Sequence, residues 1–237
     1  MAYRAVLFDF FGTLTTAMKG LSPTAPAAHA LGVEPVAFAA MLTATYLARA
    51  RGEFGDLPTQ LRRVAAMIGQ RTSPAQGRAA ARLRCLAVAS VIRLRPEAVP
   101  ALRALRRQGL RVGLVSDCTD EVPPAVARSR IDPLLDGRVF SCQVGACKPD
   151  HRLYHVAAQQ LRVRPSECLY VGDGGAHELV GADQVGMTAV RLAAPDLVHH
   201  SAHIPAPRWT GLAVTSLAQV PGLFQTVAQA PRSVVAS

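Results

Sequence analysis

The sequence predicts an α/β fold: a parallel sheet with helices on both faces, and an all-helical cap domain inserted after the first strand. Three observations carry this. Short apolar runs recur, each ending in a polar or acidic residue: Ala5-Val6-Leu7-Phe8 before Asp9, Leu110 to Val115 before Ser116-Asp117, and Cys168-Leu169-Tyr170-Val171 before Gly172-Asp173. Such runs suit parallel strands buried on both faces, and open sheets of this kind gather their chemistry at the carboxyl edge. The spacing is the second observation: Ser116 to Lys148 is 32 residues and Lys148 to Asp173 is 25, each about one strand–helix–strand unit. The third is that Asp9 to Ser116 is 107 residues, leaving about 75 for an insertion. Residues 1–16 and 95–228 are expected to form the core, 17–94 the cap, and 229–237 a frayed tail.

The elements follow in order. Strand 5–8 opens the chain, and Gly12-Thr13 allows a tight turn out of it. In the insertion, 26–32 reads as a short helix stopped by Gly32, and 35–51 as a helix opened by Pro35. Residues 52–58 read as a loop, and 59–69 and 74–94 as two further helices, the latter opened by Ser73-Pro74. The βα rhythm then resumes: helix 96–108 stopped by Gly109, strand 110–115, helix 121–129, strand 138–141, helix 150–161, strand 168–171, helix 176–184 and strand 188–192. This alternation describes a Rossmann-like sheet. Residues 193–208 are rich in Pro and His and read as loop, with a last strand-turn-helix over 212–224.

Composition narrows the function. The 237 residues can bury a full core, and half of them are hydrophobic. No apolar run reaches the roughly 18 residues of a membrane span, and no signal peptide is evident, so a cytoplasmic protein without a membrane partner is expected. Five cysteines are scattered with no CxxC pair, which suits free thiols in a reducing compartment. Cys118 and Cys147 flank candidate site residues and are the two thiols that could sense oxidants. The net charge of +10 invites a nucleic-acid reading. However, all the basic residues except Lys19 and Lys148 are arginines spread along helices without interleaved aromatics, Arg62, Arg63, Arg78, Arg82 and Arg84 among them. A solvated basic face, with no nucleic-acid partner, is the better account.

Nucleophilic acid, hydroxyl, ammonium and second acid thus arrive in order along the chain. The series Asp9-x-x-Gly12-Thr13-Leu14, Ser116-Asp117, Lys148-Pro149-Asp150 and Gly172-Asp173-x-x-x-x-Glu178 resembles the haloacid dehalogenase-like (HAD) superfamily, in its members with a helical cap of the first type. The resemblance covers residues 5–192. It implies that Asp9 is a nucleophile forming an aspartyl-phosphate, and that Thr13 orients it or donates to the phosphoryl group. Ser116, with Asp117 beside it, would bind the phosphoryl oxygens, and Lys148 would neutralise nucleophile and substrate. Asp9, the Phe11 main-chain carbonyl, Asp173 and Glu178 would hold Mg²⁺, Glu178 through a water or by orienting Lys148. The substrate implied is a small phosphorylated metabolite, handled by a monomer or homodimer.

One residue departs from that pattern. Phosphatases of the family carry a second Asp two residues after the nucleophile, as the leaving-group acid; here Phe11 occupies the position, and general acid–base help is worth roughly 10²–10⁴-fold. A 2-haloacid dehalogenase needs no such acid, because halide leaves unprotonated, and it needs no metal. The Gly-Asp-Gly-Gly segment at 172–175 resembles the metal-dependent phosphatases instead. A slow phosphatase is therefore expected, with a dehalogenase-like hydrolase or a weakly active phosphate-binding protein as alternatives. His177 could supply a proton, although a solvated helix-start histidine is the plainer reading. Tyr46, Arg49, Arg51 and loop 52–58 are cap candidates for substrate selection by analogy alone, the arginines being expected at the surface.

Overall fold

The computed structural model describes residues 3–17, 23–199 and 209–227. Six parallel strands form one sheet in the order β3-β2-β1-β4-β5-β6. They are β1 (Ala5–Phe8), β2 (Arg111–Ser116), β3 (Gly137–Phe140), β4 (Cys168–Gly172), β5 (Thr188–Leu192) and β6 (Leu212–Val214). The central strand β1 pairs Phe8 with both Leu114 and Val171, so Asp9, Ser116 and Asp173 emerge side by side at one edge. The Asp9 N–H still bonds the Val171 carbonyl at 2.9 Å, which extends the ladder up to the acid.

Alternation along β1 divides the core. Val6 and Phe8 pack on one face with Leu102, Leu105, Leu114 and Val171, while Ala5 and Leu7 pack on the other with Leu153, Tyr154, Leu161 and Tyr170.

Between β1 and the next core helix, the described residues form helices α1 (Ala25–Leu31), α2 (Pro35–Ala44), α3 (Tyr46–Ala50), α4 (Leu57–Met67) and α5 (Pro74–Val91), with no strand among them. They bury a hydrophobic cluster of their own, including Leu31, Phe38, Leu42, Leu61 and Val64. Where this segment leaves and rejoins the sheet, Thr15 and Leu94 form an antiparallel bridge. The remaining helices are α6 (Ala98–Arg107), α7 (Val122–Ala127), α8 (Ser141–Val144), α9 (His151–Gln160), α10 (Glu178–Gln184) and α11 (Val220–Val227). No single helix among the described residues is long and apolar enough to cross a membrane.

Several expectations are adjusted. The expected helix 35–51 breaks at Thr45, where Thr45 Oγ1 bonds the Met41 carbonyl at 2.7 Å and Thr43 Oγ1 the Ala39 carbonyl at 3.1 Å. Threonines bonding back one turn bend a helix, and here the bend becomes a break. Helix α8 follows β3 directly and was not anticipated; at four residues it is too short for periodicity to mark. Helix α10 starts at Glu178 rather than 176, because Ala176 and His177 take left-handed backbone angles, φ 50° and 54°. Part of the 193–208 loop is a 3₁₀ turn, Pro195–His199. Residues 200–208 and the expected tail 229–237 lie outside the described residues.

Arg49 and Arg84, read as surface residues, are buried. Arg84 Nε meets Glu121 Oε1 at 3.1 Å, and Arg49 bonds Thr45 Oγ1 and the Leu42 carbonyl. Charged heads can be interior only when paired, and sequence spacing does not reveal that Glu121, on the far side of the helical segment, supplies the pairing.

Candidate active site

The sharp turn after β1 comes first. Phe11 is extended (φ −74°, ψ 128°) and Gly12 left-handed (φ 78°) inside the turn Phe10–Leu14. A Cβ on Gly12 would overlap the Asp173 carboxylate and come within 3.2 Å of Leu197, so both conformation and space require glycine there. Gly172 faces a similar demand, since a Cβ would overlap the Glu178 carboxylate. Glycines at the ends of two adjacent strands thus let two loops close over one set of acids. The Phe11 ring is turned to an edge contact with Phe10, with ring centroids 4.9 Å apart, and packs against the core.

Four sequence candidates converge. Lys148 Nζ lies 2.5 Å from Asp9 Oδ1 and 2.6 Å from Glu178 Oε2. Ligand atoms of Asp9, Asp173 and Glu178 all lie within 4.8 Å of one another, and all three residues are buried. Glu178 is held from several sides: Lys148 and Tyr170 Oη (2.8 Å) donate to Oε2, and the Gly174 N–H donates to Oε1 at 3.0 Å. Its carboxylate therefore orients Lys148, whereas Asp173 accepts the Gly175 N–H at 2.8 Å through Oδ1. Asp9, Asp173 and Glu178 could together hold a hard cation, the donor type that oxygen-seeking metals prefer.

The electrostatics are strained in one direction. Two of the three carboxylates, those of Asp9 and Glu178, share the Lys148 ammonium. Burial, reinforced by Glu178 and opposed by Lys148, raises Asp9 to about 7. Burial also lifts Glu178, with Asp173 adding to it and Lys148 opposing. Burial by itself would depress Lys148, but Asp9 and Glu178 outweigh it and keep the amine charged.

Ser116 is fully buried at the end of β2, its Oγ 3.5 Å from the Asp117 carbonyl. The Thr13 hydroxyl is buried and has no partner among the described residues. Asp117 turns away from the acid cluster: both its oxygens accept the Lys148 main-chain N–H, at 3.0 and 3.1 Å, so it ties the two loops together. His177 is exposed. Of the cap candidates, Tyr46 reaches the core, its hydroxyl donating to the Asp117 carbonyl at 3.3 Å. Arg49 is buried and bonds within its own helical segment, to Thr45 Oγ1 and the Leu42 carbonyl, and Arg51 is exposed. Gly52 in the 52–58 loop packs so closely on the Cys142 carbonyl that a Cβ would sit 2.5 Å from it.

Tyr170 was missed by the sequence reading. It is fully buried in β4, and its signal was a phenol in an otherwise aliphatic strand, which must find an acceptor.

An open parallel sheet with an all-helical insertion after β1, and an acid, hydroxyl, ammonium and acid at its carboxyl edge, defines a class of hydrolase. The chain belongs to the haloacid dehalogenase-like hydrolases, whose family model matches residues 3–186. It is 27% identical to (S)-2-haloacid dehalogenase 4A of Burkholderia cepacia, over 80% of this chain and 82% of that one. It is 33% identical to the glyceraldehyde 3-phosphate phosphatase of Methanopyrus kandleri, but over 41% of this chain and only 42% of that protein's length. Among solved structures, a HAD phosphatase from Thermococcus onnurineus superposes with a TM-score of 0.62 over 93% of this chain and 97% of that one, at 18% identity, a likeness of fold.

Proposed function

We propose that the protein is a Mg²⁺-dependent phosphatase acting on a small phosphorylated metabolite through an aspartyl-phosphate on Asp9. The observation that carries this reading is the buried cluster of Asp9, Asp173 and Glu178, whose carboxylate oxygens lie within 4.8 Å of one another. Converging carboxylate oxygens of this kind suit a hard divalent cation. When bound, Mg²⁺ would be held by Asp9, Asp173 and the Phe11 carbonyl, with Glu178 behind them, and would supply charge neutralisation for phosphoryl oxygens.

The chain's own groups account for the remainder. Lys148 holds the Asp9 carboxylate by one oxygen and presents positive charge to an incoming phosphate. The unpartnered Thr13 hydroxyl and the Ser116 hydroxyl are donors for its oxygens. An Asp9 oxygen forms a bond to phosphorus while the ester P–O bond breaks. The leaving oxygen takes its proton from water, since Phe11 carries none. Water then adds to phosphorus, inorganic phosphate departs and the Asp9 carboxylate is restored. The Phe11 substitution makes aryl phosphates, whose leaving groups need little protonation, the favoured test substrates.

A second reading, carbon–halogen cleavage by Asp9, is favoured by Phe11 and by the dehalogenase relative that aligns over most of the chain. Assaying an aryl phosphate with Mg²⁺ beside 2-chloropropionate in chelator separates the two. Phosphate release that Asp9→Asn abolishes supports the first; chloride release without phosphate release replaces it with the second.

A further inference from the structure

Arg95 lies where the helical segment rejoins the sheet, outside every motif, and is 7% exposed. Three of its hydrogen bonds run to the turn that follows the Asp9 strand. Nη2 donates to the Gly12 carbonyl at 2.8 Å, Nε to the Thr13 carbonyl at 3.0 Å, and the main-chain N–H to the Leu14 carbonyl at 2.9 Å. Three consecutive carbonyls are thus captured by one residue. The third guanidinium nitrogen, Nη1, pairs with Asp196 Oδ1 at 2.7 Å, and Asp196 Oδ2 accepts the Ala17 N–H at 2.8 Å. The Arg95–Asp196 pair therefore closes a ring around residues 12–17. Leu197, next to Asp196, lies so near Gly12 that a Cβ there would come within 3.2 Å of its side chain.

We infer that Arg95, anchored by Asp196, is a positioning residue: it clamps the Gly12–Leu14 turn so that Asp9 and the Thr13 hydroxyl keep their places beside Asp173 and Lys148. The reason is geometric. The turn contains a left-handed Gly12, the residue type with most freedom to lose; backbone pairing in the Thr15–Leu94 bridge holds the Leu14 carbonyl, while the Gly12 and Thr13 carbonyls are held by the guanidinium. A planar guanidinium can serve two carbonyls and a carboxylate at once; the ammonium of a lysine cannot reproduce that fork. Because catalysis depends on alignment to well under an ångström, a loosened turn costs turnover more than binding.

The kinetic part of this inference rests on the phosphatase reading, and the test keeps the two apart. Arg95→Lys and Asp196→Ala are compared with Arg106→Lys, a control at an exposed ion pair with Asp136. With an aryl phosphate and Mg²⁺, Arg95→Lys is expected to lower kcat 10- to 100-fold and Asp196→Ala about 3- to 10-fold. KM should change less than about threefold, and the control should match wild type. Amide hydrogen exchange, read on the same proteins without substrate, should quicken at least about tenfold at Thr15 and Ala17 in both clamp variants, while the central strands keep their protection. If wild type releases no phosphate, the phosphatase reading falls and exchange alone judges the clamp. Unchanged exchange at these amides, kcat within twofold of wild type, or a rise in KM with kcat retained would each overturn it. Should Arg95→Lys fail to fold, Asp196→Ala carries the same comparison.

Discussion

Tyr170 Oη donates to the very Glu178 oxygen that pairs with Lys148, 2.8 Å from the phenol and 2.6 Å from the ammonium. Glu178 is thereby fixed by a strand residue, and Lys148 through it. The ammonium that faces Asp9 is held by a chain of three buried side chains rather than by its own flexible stem.

Tyr170→Phe removes one of those bonds and leaves the ring. The expected result is a loss of about 1 kcal/mol in stability and a fall in turnover of roughly 3- to 10-fold. Chemical denaturation and steady-state kinetics measure both. Unaltered turnover would mean that Lys148 needs no support from the phenol.

Asp9 carries a pH signature. Its folded value, about 7, lies above the ordinary 3.8, so the native state holds a proton that the unfolded chain has released. Between those values stability falls as pH rises, and above about 7 the full cost is present. In chelator, Asp9→Asn should therefore be more stable than wild type at pH 8, by about 1–4 kcal/mol, with the gain vanishing towards pH 4. Melting curves across that range test the sign; a gain that grows on acidification contradicts it.

Glu121 is completely buried, pairs with Arg84 and leaves its second oxygen without a partner among the described residues. Burial lowers the Arg49 pKa against Glu121's opposing pull. Glu121→Ala removes the carboxylate that pairs with the buried Arg84 and is expected to cost about 3–5 kcal/mol. Arg84→Met combined with Glu121→Leu should cost clearly less, because an apolar pair needs no solvation to replace. A double variant as unstable as the single one would remove electrostatics from the explanation.

Phe11→Asp restores a carboxyl two residues after Asp9. If the missing acid limits turnover, hydrolysis of an alkyl phosphate should rise by roughly 10- to 100-fold, and that of a nitrophenyl phosphate far less. Measuring the ratio of the two rates in both proteins decides the point. Equal changes for both esters would indicate that protonation of the leaving group is not limiting.

Much of this protein was written locally. Strand 188–192 and the Gly32 helix stop appear as read, because an apolar run and a left-handed glycine are properties of a few neighbouring residues. The meeting of Asp9 and Asp173 was legible because strand ends in a parallel sheet share an edge, while Lys148 and Glu178 are expected beside them from the motif series and the family it resembles. Chain order alone determined the α/β architecture, the helical insertion and which polar residues reach that edge. Tertiary structure alone decided that Tyr170 holds Glu178, that Arg95 and Asp196 ring the Gly12 turn, and that Arg49 and Arg84 lie inside. Those partners are 8, 101 and 37 positions apart in the pairs Tyr170–Glu178, Arg95–Asp196 and Arg84–Glu121. No local pattern encodes such separations; a buried polar group takes whichever partner packing brings within reach, because leaving it bare costs more than any local preference offers.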